Sequence, residues 1–339
     1  MKQPPRNDKN FVWQGKKVLV TGAGGFIASH LVERLVTEGA YVRAFVRYNS
    51  RGDPGLLKLL PSDVFEALEI VAGDLRDLPA IQEAVKGVSL IFHLGALIAI
   101  PYSYVHPAEV VETNVMGTLN VLLASRYVEV ERIIHTSTSE VYGTAMEVPI
   151  CEDHPLQGQS PYSASKIGAD KLAESFYCAY NLPIVTLRPF NTYGPRQSTR
   201  AVIPTIITQA LTGNTIKLGN LEAIRDFTYI SDTISGFLKV ATTSEIEGET
   251  FNLGTGYEVS IGELTEKILS LIGKSAKIMV DSARLRPEKS EVERLLSDNR
   301  KAREILGWQP QITLDDGLQH TINWISDNLH LYRSGLYQL

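Results

Sequence analysis

At 339 residues, with 44% apolar and 21% charged side chains, the chain can bury a large core and has the composition of an ordinary globular protein of one or two domains. Its formal net charge of −5 excludes a general attraction to nucleic acid or to an anionic membrane, though not a local phosphate site. Cys151 and Cys178 are too few for a disulfide framework or a metal site, and a reducing, cytoplasmic setting is expected.

The first fifteen residues lack the apolar core of a signal peptide, and the most apolar stretch, VSLIFHLGALIAI, is too short to span a bilayer. The chain then reads as strand and helix in alternation. KKVLVTG (16–22) is β-rich without polar alternation, as a strand buried on both faces should be. A helix over 26–37 follows, then a strand over 41–47, a third over 68–74, a short helix near 78–85 and a fourth strand over 88–95. Helical spacing covers 110–127, and VERIIHTST (130–138) is a fifth strand. Ser160 and Pro161 have the character of an N-cap and a first-turn proline for a helix reaching Tyr180, before a sixth strand over 183–190. This alternation predicts a parallel, doubly wound sheet with right-handed crossovers. Beyond Pro195 the rhythm loosens, with helices over 203–212, 232–241 and 261–271 among short strands. The expected division is a dinucleotide-binding part over 1–195 and a smaller substrate lobe over 196–339, the two interleaved.

Gly22, Gly25 and Ala28 stand between the first strand and the first helix with the spacing G-x-x-G-x-x-A. Such a turn lets backbone approach a pyrophosphate, and the helix N-terminus offers free N–H groups. NAD enzymes usually place an acid at the end of the second strand, for the ribose hydroxyls. Here Val46, Arg47 and Tyr48 stand there, with no acid before Asp53. Arg47 suits a 2′-phosphate, which favours NADP slightly over NAD; otherwise it is a surface arginine. Asp74 could accept from an adenine amine or cap the helix that follows.

SPYSASK places Tyr162 and Lys166 one turn apart on one helix face. A phenol with a pKa of about 10 is a poor base at neutral pH, and a nearby ammonium lowers that value. Tyr162 could then take a proton from a sugar hydroxyl, with Thr138, at the fifth strand's end, orienting the same hydroxyl. HTSTSEVYG (135–143) also places a carboxylate, Glu140, at this strand end, where ligands bind in open α/β sheets.

On TGAGGFIASHL, Gly73–Asp74, His93–Ala96, TNVMGTLNVL, STSEVYG, SPYSASK, RPFNTYGPRQ and RDFTYISD, the chain resembles the extended short-chain dehydrogenase/reductase family, in its nucleotide-sugar branch. The resemblance covers nearly the whole chain. It implies an α/β fold with a Rossmann doubly wound parallel sheet and a smaller C-terminal substrate-binding lobe, a tightly bound and recycled NAD or NADP, and a homodimer. It implies cofactor contacts from Gly22, Gly25, Phe26, Ile27, Arg47, Asp74, Leu75, Leu94, Ala96, Asn114, Tyr162 and Lys166.

Within the family, 4-epimerases carry small or hydroxyl residues where Glu140 stands, whereas 4,6-dehydratases carry Glu. The resemblance therefore implies that oxidation at C4 is followed by removal of the C5 proton by Glu140, loss of water from C6 and return of hydride to C6. Thr138, Ser139, Glu140, Tyr162 and Lys166 are the implied catalytic set. Glucose-nucleotide dehydratases have Asp where this chain, like GDP-mannose dehydratases, has Ser139, so Glu140 itself or a water is left as the general acid. The same Thr-Ser-Glu string resembles UDP-glucuronate decarboxylases. PYSYVHP, HTSTSEVYGTA, PTIITQ and RPEKSEVERL together are most similar to the 4,6-dehydratases of legionaminic-acid biosynthesis, which implies a GDP- or UDP-N-acetylglucosamine substrate.

For that substrate the resemblance assigns Asn191, Arg225 and Arg286 to the sugar and diphosphate. The structural alternative for Arg225 is a salt bridge to Asp226 or Asp232. Arg196 and Arg200 are either substrate contacts or surface charges. His93 is expected to be a satisfied core histidine, Glu288 and Glu291 to face solvent, and Tyr102 and Tyr104 to border the sugar pocket or merely pack.

Overall fold

A computed structural model of the chain describes residues 11–333. Its centre is a seven-stranded, all-parallel sheet. Six of its strands are β1 (Lys17–Thr21), β2 (Tyr41–Arg47), β3 (Glu69–Gly73), β4 (Leu90–His93), β5 (Arg132–Thr136) and β6 (Ile184–Pro189), and the seventh is β11 (Thr250–Leu253). Between β6 and β11 in the chain, β7 (Asn191–Tyr193), β8 (Thr215–Leu218), β9 (Ile224–Arg225) and β10 (Phe227–Tyr229) lie in small separate sheets. The sheet order is β11-β6-β5-β4-β1-β2-β3, so the direction of winding reverses between β1 and β4. The crevice at such a reversal, beyond the carboxyl ends of the strands, is where open α/β sheets bind ligands. β1, β4 and β6 are buried almost end to end, as strands covered on both faces must be.

The helices are α1 (Phe26–Thr37), α2 (Ser62–Glu66), α3 (Leu78–Ala84), α4 (Ile100–Val105), α5 (Pro107–Val111), α6 (Gly117–Ser125) and α7 (Pro161–Tyr180), then α8 (Val202–Thr212), α9 (Ile230–Thr242), α10 (Ile261–Ile272), α11 (Arg300–Leu306) and α12 (Leu314–Asp327). The expected helix over 110–127 is broken: a π-helical turn, residues 112–116, separates α5 from α6. α7 begins as its residues predict. The Ser160 hydroxyl accepts from Ser163 N–H, the Ser163 hydroxyl answers from the Ser160 N–H, Pro161 starts the helix, and Asn181 ends it in the left-handed region. Its buried stripe runs Tyr162, Lys166, Ala169, Asp170 and Ala173.

The seventh strand, β11, comes from the second half and lies on β6. α9 packs on α1, and its Ile234, Phe237 and Val240 share one apolar core with Val18, Val20 and Leu31. A second core joins α8 and α10 around Ile206, Leu264 and Ile268. A cleft is lined almost wholly by residues from Asn191 to Glu291, with Pro101 joining them from the first part of the chain.

Candidate active site

At the first crossover Gly22 adopts φ +68°, and a Cβ there would lie 2.7 Å from the Cα of Gly95. A Cβ on Gly24 would lie 2.6 Å from the carbonyl oxygen of Pro54. The turns after β1 and β4 thus meet backbone to backbone at the switch point, which only glycine permits. Gly25 is the N-cap of α1 and gives it no side-chain cap, so the N–H groups of Phe26 and Ile27 open the helix towards the crevice. Thr21 ties the two strand ends, its hydroxyl accepting from Gly95 N–H at 3.0 Å and meeting His93 Nδ1 at 2.8 Å. His93 Nε2 meets the Thr118 hydroxyl at 3.0 Å, so His93 is the satisfied core histidine its strand predicts. Leu94 and Ala96 follow β4, and Leu75 is buried against Gly95 and Gly117. Asn114, held in the π turn, donates to Leu97 O and to the Ser165 hydroxyl, both at 2.9 Å, and accepts from Leu97 N–H at 2.7 Å. It fixes the loop after β4 to α7. These features fit a dinucleotide: a glycine cradle no side chain could share, an uncapped helix start, and a pinned strand-end loop.

Arg47 is exposed at the end of β2 with Glu109 at 3.2 Å, and the Tyr102 hydroxyl also donates to Glu109. Asp74 accepts from the Arg76 backbone and side chain, the Arg76 Nη2 bond being 2.7 Å; it does not cap α3, whose N-cap is Asp77. Of the two readings of Asp74, the helix cap is therefore corrected.

The catalytic candidates come together at the ends of β5 and α7. Thr138 caps a short 3-10 turn over Ser139–Tyr142, its hydroxyl accepting from Glu140 N–H at 3.2 Å. That turn holds Glu140 beside Tyr162, whose phenol burial pushes up; the Thr138 hydroxyl, bonded to it, pulls the other way, and the Glu140 charge adds to the rise. Lys166 donates to the Thr136 carbonyl at 2.7 Å, and burial lowers it to about 8 while Asp170 opposes that fall. Ser139 is buried in the turn.

Beneath them lies a network unforeseen in the sequence. Asp170 takes Ser137 Oγ at 2.8 Å, His135 Nε2 at 3.0 Å and Arg188 Nη2 at 3.1 Å. Burial raises its carboxyl, but His135 and Arg188 more than offset this and hold it down. The signal was there in the i,i+4 spacing of Lys166 and Asp170 on one helix face.

The cleft beside this cluster, about 290 Å³, is lined by Asn191, Arg225, Arg286, Arg200, Thr192 and Glu291 among others. Asn191 Oδ1 is buried without a hydrogen-bond partner. Arg225 is 6% exposed and faces Glu291 at 3.5 Å, not Asp226 or Asp232, which accept from Thr255 and Ile312 backbone instead. Glu291 is thus a cleft residue, which corrects its expected solvent position; Glu288 is exposed as expected. Arg196 pairs with Glu33 at 2.6 Å away from the cleft, whereas Arg200 lines it. Tyr104 bonds Ser290 at 2.6 Å, joining α4 to the loop that carries Arg286. Arg286 Nη1 lies 3.5 Å from Glu140 Oε2, joining cleft to catalytic cluster.

The profile of the GDP-mannose 4,6 dehydratase family matches residues 19–321. The chain belongs to the extended short-chain dehydrogenase/reductase family of nucleotide-sugar 4,6-dehydratases and epimerases. A UDP-glucose 4-epimerase of Mycolicibacterium smegmatis is 34% identical over 91% of this chain and 98% of its own. The dTDP-D-glucose 4,6-dehydratase of Mus musculus is 30% identical over 94% and 91%. The dTDP-glucose 4,6-dehydratase DesIV of Streptomyces venezuelae, solved with NAD bound, superposes with a TM-score of 0.84 at 32% identity, covering 94% of this chain and 99% of its own. The dehydratase/epimerase family thus spans two outcomes from one scaffold. Among the described residues no His, Cys, Asp and Glu cluster could hold a metal, Cys151 and Cys178 are free, and no helix is long and apolar enough to cross a membrane.

Proposed function

We propose that the chain is an NAD(P)-dependent nucleotide-sugar 4,6-dehydratase acting on GDP- or UDP-N-acetylglucosamine. The observation that supports this most is Glu140, a carboxylate with its side chain 13% exposed, held by Thr138 in the turn that faces Tyr162. Inversion at C4 needs no base beside C5. Because the Thr-Ser-Glu string also resembles UDP-glucuronate decarboxylases, Glu140 argues against a plain epimerase more than against a decarboxylase.

The dinucleotide, when bound, supplies a reversible hydride acceptor. Gly22, Gly25, Phe26 and Ile27 would hold its pyrophosphate, and Asn114 would keep the neighbouring loop in place. Arg47 would meet a 2′-phosphate in place of Glu109, which it faces at 3.2 Å. Tyr162 takes the proton of the C4 hydroxyl and Thr138, whose bond to the phenol favours the phenolate, orients that hydroxyl; Lys166, expected to ease the phenolate, instead donates to the Thr136 carbonyl, and burial with the Glu140 charge holds the phenol up. A ketone at C4 acidifies C5–H. Glu140 accepts that proton, the C5–H electron pair forms the new C5–C6 bond order, and the C6 hydroxyl leaves, taking the proton from Glu140 or from a water. C6 would then take the hydride back and C5 a proton from water, so that the bound dinucleotide ends unchanged and the net change is loss of one water from the sugar. Asn191, Arg225 and Arg286 hold sugar and diphosphate. A homodimer across α5–α7, where Val111, Met116 and Tyr180 leave apolar surface exposed, accompanies this reading.

The test is incubation with GDP- and UDP-N-acetylglucosamine and, separately, with UDP-glucuronate. Mass spectrometry should show loss of one water and a 4-keto-6-deoxy sugar from the first pair. An unchanged mass with C4 inverted, or carbon dioxide from UDP-glucuronate, overturns the reading.

A further inference from the structure

Two of the arginines that line the cleft, Arg225 and Arg286, each face a carboxylate, and the two pairings are unequal. Arg225 is fixed: 6% exposed, it donates to Ile224 O at 2.9 Å and Glu293 O at 3.4 Å while facing Glu291. Arg286 is looser. Its side chain is 24% exposed, it stands on a loop between two single 3-10 turns, and its Nη1 is buried with no hydrogen bond. Glu140 lies 3.5 Å from that nitrogen, at ion-pair contact but beyond a good charge-assisted bond. One guanidinium therefore has two anionic claimants, the Glu140 carboxylate and the diphosphate for which the cleft is suited. A diphosphate offers forked acceptors and more charge, and it would displace so loose a pair.

We infer that Arg286 is shared between Glu140 and the substrate's diphosphate, so that diphosphate binding draws Arg286 away and frees the Glu140 carboxylate for the sugar. The last step rests on the 4,6-dehydratase reading. The consequence is substrate selection: a sugar phosphate without the diphosphate enters a site whose C5 base is still held by arginine. Glu291 does not have this role, because its partner Arg225 is anchored by two carbonyls.

The test is a thermodynamic cycle on the cofactor-loaded protein, with calorimetric titration of GDP and of UDP at one ionic strength. The proteins are the unaltered chain, Glu140→Gln, Arg286→Gln and the double variant. If an ion pair must break on binding, Glu140→Gln should bind about two- to five-fold more tightly than the unaltered chain, the range for a partly exposed pair. Arg286→Gln should bind roughly ten-fold more weakly or worse, as for a lost charged hydrogen bond. In the Arg286→Gln background, Glu140→Gln should then change nothing. Equal tightening in both backgrounds means Glu140 merely repels phosphate, and it overturns the inference. So does no tightening with Arg286 intact, or no binding of either nucleotide. Arg286→Met serves the same cycle if Arg286→Gln does not fold. These titrations involve no dehydration. A cycle that closes as expected, with no water lost from any nucleotide sugar, sinks the dehydratase reading and keeps the coupling; dehydration with an additive cycle does the reverse.

Discussion

Burial brings Lys166, 4% exposed, down from 10.5 to about 8. Below that pH the folded chain carries a buried ammonium at a cost of about 3 kcal/mol. Between about pH 8 and 10.5 the unfolded chain binds the extra proton, so stability rises with pH across that window and the cost fades. Lys166→Met should therefore raise stability at pH 7 by about 1–2 kcal/mol after loss of its bond to the Thr136 carbonyl, seen as a higher melting temperature, and give no gain near pH 10.5. Turnover should be almost abolished. Melts at the two pH values check this, and an equal gain at both contradicts a buried-charge origin. Glu140→Gln separates the two half-reactions of the proposed chemistry. Reduction of the dinucleotide by a nucleotide sugar should survive, followed by its near-ultraviolet absorbance, while dehydration falls by about 10²–10⁴. Unchanged dehydration would remove Glu140 from its role.

Elements carried by local rules were legible in the residues. The Gly22–Ala28 turn, the Ser160–Pro161 start of α7 and the Tyr162–Lys166 pair depend on spacing within one or two turns of chain, and the structure places each as read. The π turn over 112–116 was not legible, since it arises where the helix packs against α7 and its own residues continue the helical pattern. β11 was missed because four residues, TFNL, show no period; what makes them a strand is the open edge of β6. Glu291 was misplaced because loop contacts across 66 positions, from Arg225 to Glu291, leave no trace in local sequence. Local rules also make quantitative claims. In α10 the Ser260 hydroxyl accepts from Glu263 N–H at 3.1 Å, and Glu263 accepts from Ser260 N–H at 2.9 Å. Ser260→Ala should cost about 1 kcal/mol of stability in denaturant titration. At the other element end, Gly22→Ala places a Cβ 2.7 Å from Gly95 Cα at positive φ. It should destabilise by at least about 1–2 kcal/mol and reduce cofactor retention, read as dinucleotide co-purifying with the protein.

At the scale of the molecule, the order of the chain and the order of the cores disagree. The apolar core around β1 and β2 takes Ile230, Ile234, Phe237, Phe251, Leu253, Leu306 and Trp308 from the second half. Trp308 Nε1 donates to Asp232 O at 2.9 Å, and β11 completes the hydrogen bonding of β6. A fragment ending near residue 195 would keep the glycine turn, Tyr162 and Lys166, yet it would lose the cover of one sheet face and bare a buried, apolar strand edge. The two lobes should therefore unfold together. Calorimetry of the cofactor-loaded chain should give one transition, and residues 1–195 expressed alone should aggregate or expose enough apolar surface to bind a hydrophobic dye. A monomeric 1–195 fragment with a sharp melting transition and retained dinucleotide would show that the N-terminal sheet closes without β11 and α9, and that the cleft is an interface between independent domains and not the product of one shared core.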